Sequence, residues 1–204
     1  LGSIGIAFDD WTDSTPLTVT DGAVFYMDPS QGPSGSAVLA QITVPSESSG
    51  IVELGMQGQA TSGVGAPWLI SSVPFTYGGL DVPTPSRWGA GTAEPAAVAV
   101  GSSASGITYR LTATLSDGAT NLYTIFGTPA SPMTIPAAYQ VEAPFGANVG
   151  GVSPTLFASS PVSEFDSWLT VGITEGDTTN ALASIGIAFD AWDAEHPLVR
   201  AAVQ

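Results

Sequence analysis

The sequence predicts an all-β protein of one or two antiparallel β-sandwich lobes with long Pro/Gly-rich loops. Three observations carry that expectation. Glycine at 24 and proline at 16 of 204 residues, with abundant Ser, Thr, Ala and Val, favour short strands and turns over helices. No 3.6-residue apolar period is sustained beyond about two turns. About ten short, partly alternating segments are separated by turn residues at the spacing of sandwiches and barrels.

Taken in order, Leu1 to Phe8 reads as a strand, followed by the acidic turn of Asp9, Asp10 and Asp13. Asp21-Gly22, between LTVT and AVFYM, is a hairpin turn pair. Residues 28–35 (DPSQGPSG) break the ribbon. Alternation over Val38 to Val44 and Ile51 to Gln57, around PSESSG, predicts a hairpin with one half-buried face. Trp68 to Tyr77 is a further strand, placed at an edge or bulge by Pro74, which has no amide hydrogen to donate. Residues 78–105, with Pro83, Pro85 and Pro95, form the expected connection between a first lobe, 1–77, and a second, 106–181, with Ala96 to Val100 reading as a strand inside it. In the second lobe Gly106 to Leu115 alternates, Asp117-Gly118 turns the chain, and Leu122 to Phe126 returns. Residues 127–161 carry six prolines and read as irregular chain pinned on a sheet by Tyr139, Phe145 and Phe157. Phe165 to Ile173 and Leu182 to Phe189 complete the set as a paired couple of strands.

The charge balance narrows the partners. Eighteen acidic residues face three arginines and no lysine, a net charge of -15. That field repels nucleic acid and anionic membrane. Only 10% of residues are charged, so much of the exterior is small and polar or covered by neighbouring copies. There is no cysteine, hence neither disulfide nor thiol chemistry. No apolar run approaches the roughly 20 residues of a membrane span.

The chain also repeats its own beginning. Leu182 to Trp192 (LASIGIAFDAW) matches Leu1 to Trp11 (LGSIGIAFDDW) at nine of eleven positions with an offset of 181, and Pro197-Leu198 continues the register of Pro16-Leu17. Self-similarity at a fixed offset marks a repeated structural unit, with 182–204 as the start of the next one and an assembly tail. A strand whose neighbour belongs to another repeat exposes an unpaired edge that templates association. The expectation is strand complementation, Glu164 to Gln204 of one molecule completing the sheet begun by Leu1 to Met27 of the next. Its interface residues are Leu1, Ile4, Ile6, Phe8, Trp11, Phe165, Trp168, Leu182, Ile185, Ile187, Phe189, Trp192 and Leu198. A long tandem array in one polypeptide is the alternative.

At EFDSWLTVGITEGD, LASIGIAFDAW and IPAAYQVEAPFGANVGG the chain resembles β-rich tandem-repeat proteins of marine microalgae such as haptophytes, pelagophytes and diatoms. DGAVFYMDPSQGPSG and NLYTIFG fit the same pattern, so the resemblance covers most of the chain. A weaker resemblance is to pyrenoid shell proteins of similar algae. Both imply a structural role, the first at the cell surface or outside the cell, the second in the chloroplast pyrenoid.

Chemistry is sparse by comparison. Asp9, Asp10 and Asp13, with Asp190, Asp193 and Glu195 in the second copy, supply the hard oxygens that suit Ca²⁺, but lack EF-hand spacing. His196, the only histidine, has Thr15 as its repeat partner, which argues against a catalytic base. There is no Gly-x-Ser-x-Gly elbow, Walker loop or zinc spacing, and Glu53, Glu94 and Glu142 form no recognisable acid pair. Trp11, Trp68, Trp88, Trp168 and Trp192 offer either a carbohydrate-stacking platform or packing. The resulting expectation is a non-enzymatic, cofactor-free building block that polymerises head to tail into an extracellular filament or surface layer. An intracellular shell lattice and a Ca²⁺-dependent or sugar-binding adhesion module are the alternatives.

Overall fold

In the computed structural model the described residues are 6, 8–61, 67–80, 93–115 and 118–183. They contain β1 (Leu17–Val19), β2 (Gly22–Tyr26), β3 (Ser36–Val44), β4 (Gly50–Ala60), β5 (Trp68–Tyr77), β6 (Ala93–Ser103), β7 (Gly106–Leu115), β8 (Ala119–Gly127), β9 (Met133–Ile135), β10 (Trp168–Leu169) and β11 (Leu182–Ala183). Every ladder between them is antiparallel. The helical elements described are 3-10 turns of three to five residues. The all-β expectation therefore holds.

One sheet is built from β5, β4, β8 with β9, β2 with β1, and β11; the other runs β10-β3-β7-β6. In the first sheet, Leu17 to Val19 lie opposite Ile135 to Met133, and Gly22 to Phe25 opposite Gly127 to Thr124. The two ladders run the same way, so β1 and β2 are one interrupted strand beside the interrupted strand of β8 and β9. Thr20 and Asp21 bridge one gap while residues 128–132 bulge out of the other, closed by reciprocal Thr128 and Ser131 backbone bonds of 3.0 and 3.2 Å. Asp21-Gly22 thus kinks the chain and does not fold it back. Both flanks gain a longer partner in residues 124–135 than they would in each other.

A second correction concerns β3 and β4. They do not form a hairpin: β3 pairs β7 in one sheet and β4 pairs β5 and β8 in the other, so residues 45–49 cross between sheets. From Leu39 to Val44 every β3 residue is buried, polar Gln41 and Thr43 included, because residues 139–170 cover what a two-stranded ribbon would leave wet. Strands from residues 17–77 and from 106–135 interleave in both sheets. Leu39, Ile42 and Leu111 from one sheet and Val52, Leu54, Phe75, Leu122 and Ile125 from the other meet in a single core, so the expected 1–77 and 106–181 lobes share one body. The strand expected at Ala96 to Val100 is present and longer, β6, a full partner of β7. Pro74 does lie on an edge strand, opposite Glu53 of β4.

Candidate functional site

The described part of the repeated motif, Ile6 and Phe8 to Trp11, occupies a seat in the core. Ile6, Phe8 and Trp11 are each at most 3% exposed, and Phe8–Asp10 is a 3-10 turn. The turn is closed by the Trp11 amide donating to Phe8 O at 2.9 Å. The Trp11 indole N–H donates to Pro136 O at 2.7 Å, and Ala138 N donates to Thr12 O at 2.7 Å. The segment leaving β9 therefore holds this head of the chain by one indole and one backbone bond. Leu1 and Ile4, in the stretch expected to be a strand, lie outside the described residues.

The free edge of β2, within the Leu1 to Met27 stretch expected to be completed by another molecule, is paired within the chain. Leu182 lies opposite Tyr26 and Ala183 opposite Phe25, and Met27 N donates to Ala181 O at 3.0 Å. Asp177 fixes this short strand by accepting from the amides of Ala181 (3.0 Å) and Leu182 (2.8 Å). Leu182 is 1% exposed and belongs to the core, so its assignment to an intermolecular interface is corrected. Trp168 is corrected likewise. It is buried in its own body, in a row that crosses the second sheet as Trp168, Gln41, Arg110 and Val98. Arg110 donates from Nε to Gln41 Oε1 at 3.2 Å, with its guanidinium carbon 6.0 Å from the Trp168 ring centroid. Phe165 is half-buried at the end of a 3-10 turn, and β10 and β11 lie in different sheets, so among the described residues the expected pairing of those segments does not occur. Ile185, Ile187, Phe189, Trp192 and Leu198 lie outside the described residues.

A cavity of about 290 Å³ opens beside the seat, walled by Phe8, Asp9, Trp11 and Asp13 on one side and by residues 139–143 and 146–148 on the other. Its carboxylates are Asp9, Asp13 and Glu142. Of the carboxylates expected to suit Ca²⁺, Asp9 and Asp13 thus border one cavity. Yet among the described residues no group of three His, Cys, Asp or Glu is arranged to hold a metal ion. The Asp10 side chain, Asp190, Asp193 and Glu195 lie outside what is described. Trp11, Trp68 and Trp168 are buried, so none of them presents an indole face for sugar stacking.

The residue that sequence reasoning missed is Asp166, which is fully buried. Its two carboxylate oxygens accept from Val141 N at 2.8 Å and Ala147 N at 2.7 Å, pinning the far wall of the cavity. Burial pushes its pKa up to about 7, against the pull of backbone donors at Ala147, Val141 and Ser167. Gln41 Nε2 ties the same turn by donating to Glu164 O (3.0 Å) and Asp166 O (2.8 Å). Phe145, expected to anchor this loop, is 39% exposed; the carboxylate does that work instead. The signal available in the sequence was a lone Asp inside the aromatic run EFDSW.

No protein-family model, curated protein or solved structure matches this chain. Among the described residues no helix is long and apolar enough to cross a membrane.

Proposed function

We propose that the chain is a non-enzymatic structural unit, a β-sandwich body that joins head to tail with further copies of itself into a filament or layer. The observation that carries this reading is the burial of the motif. The side chains that the first copy sinks into the core, Ile6, Phe8, Trp11 and Leu17, recur as Ile187, Phe189, Trp192 and Leu198. An apolar set of that size is costly in water, and in this body its seat is already taken. A second body carries the same seat, filled there by its own copy of the motif.

Spacing supports close packing of successive bodies. Ala183 is the last paired of the described residues, and only Ser184, Ile185 and Gly186 separate it from Ile187. Four residue steps reach about 14 Å at most, so consecutive bodies abut whether they lie in one polypeptide or in two. A contact between unlike surfaces propagates unless rotation closes a ring. The sparse charge of the chain suits a surface covered by neighbours, outside the cell or in an intracellular shell lattice.

The test compares the full chain with one ending at Ala183, by sedimentation and negative-stain microscopy. The full chain is expected to form elongated, concentration-dependent assemblies and the shortened chain to stay monomeric. A full chain that remains monodisperse at high micromolar concentration overturns the reading.

A further inference from the structure

The head-to-tail unit leaves open which contact joins the bodies, and the seat beside Pro136 answers it. We infer that head and tail compete for this one seat: the head holds it in the lone molecule, and residues 187–198 of a second copy take it on assembly. The head is then a self-inhibitory contact as well as part of the core. This inference rests on the assembly reading above.

Three observations support it. First, both anchors of the head survive in the tail. The indole that donates to Pro136 O recurs as Trp192, and the bond from Ala138 N goes to a backbone carbonyl, which Asp193 presents as well as Thr12 does. Second, the nine-of-eleven identity keeps every motif side chain shown to be buried, Ile6, Phe8 and Trp11. Third, the equivalence stops inside β1. Val19 is fully buried opposite Met133, and its counterpart is Arg200, a charge that site cannot hold. The tail therefore matches the seat only as far as Leu198, whereas the head runs on into β1 and β2. Covalent attachment adds an effective concentration in the millimolar range. The head wins in a dilute molecule, and assembly is limited by how readily it leaves.

Because the two copies act on one site from opposite sides, the same substitution in each has opposite consequences. In the full chain, Trp192→Ala is expected to leave the melting temperature unchanged and weaken association by about tenfold or more, the usual effect of truncating a central tryptophan. Trp11→Ala is expected to lower the melting temperature and strengthen association by a similar factor. Trp11→Phe, which keeps a ring but loses the bond to Pro136, falls between and guards against simple misfolding. The double variant Trp11→Ala/Trp192→Ala shares the instability of the first and is expected to lose its gain in association.

Sedimentation velocity on the four variants and the parent reads these outcomes. Association that persists unchanged in both single variants overturns the shared seat while leaving a head-to-tail unit joined by another contact. A double variant that associates as strongly as Trp11→Ala also overturns it, since the gain is then general stickiness. Absence of association in every variant sinks both this inference and the assembly reading.

Discussion

Asp166 is the residue whose chemistry departs furthest from what its type suggests. In the unfolded chain its carboxyl has the ordinary value of 3.8, and in the folded protein about 7. Between those values the folded state holds the extra proton, so stability is expected to fall as pH rises from about 4 to about 7 and to level off above. A shift of this size corresponds to a change on the order of 4 kcal/mol. Urea denaturation across that range checks it; stability that climbs over the interval contradicts the assignment. Asp166→Asn removes the titration and should flatten the profile. It should also cost about 1–3 kcal/mol at acid pH, because its NH₂ faces one of the two loop amides that now donate to a carboxyl oxygen. Gln41 behaves in a related way: a polar residue in an alternating strand is buried because the 164–166 turn supplies its partners.

At the scale of elements, the step between β8 and β9 holds one position that tolerates nothing larger than hydrogen. A Cβ at Gly127 would run into the Val19 carbonyl oxygen of β1 and the Met133 amide nitrogen at the start of β9. Gly127→Ala is expected to destabilise by about 3 kcal/mol or more, near the top of the ordinary range for point changes. A denaturation midpoint indistinguishable from the parent's refutes this. The edge of the second sheet is permissive by contrast. Val98 is 53% exposed and lies directly opposite Arg110. Val98→Glu should therefore be neutral or stabilise by about 0.2–1 kcal/mol through a cross-strand ion pair, with the gain lost in high salt. The edge position of β5 was legible from Pro74, whose missing donor is a local property. The failure of the β3/β4 hairpin was not legible, since alternation marks a face without saying which strand lies beside it.

For the whole molecule, charge opposes assembly. A net charge of -15 on each body makes end-to-end approach repulsive, and the range of that repulsion shrinks from about 30 Å at 0.01 M salt to about 8 Å at 0.15 M. Association is expected to strengthen severalfold over that interval in light scattering, and Ca²⁺ at matched ionic strength to add nothing beyond screening. A chelator-reversible jump at low Ca²⁺ would instead restore the carboxylates around Asp9 and Asp13 as a metal site.

By itself the sequence determined the class of fold, the acidic and cysteine-free character, and the existence of a repeated segment. Each follows from composition or from comparing the chain with itself, which needs no neighbours in space. It also named Asp9 and Asp13, which do border one cavity. Only the tertiary structure decided that the repeated segment plugs the core at Pro136, that Leu182 closes its own sheet, and that strands from both halves interleave. Those outcomes depend on which distant segments compete best for a given edge or pocket. Residues 124–135 outbid a local hairpin for β1 and β2, and a buried carboxylate at 166 holds a loop 19 to 25 residues away. Such long-range pairings are set by the summed burial and hydrogen bonding of the whole body, and no local pattern encodes them.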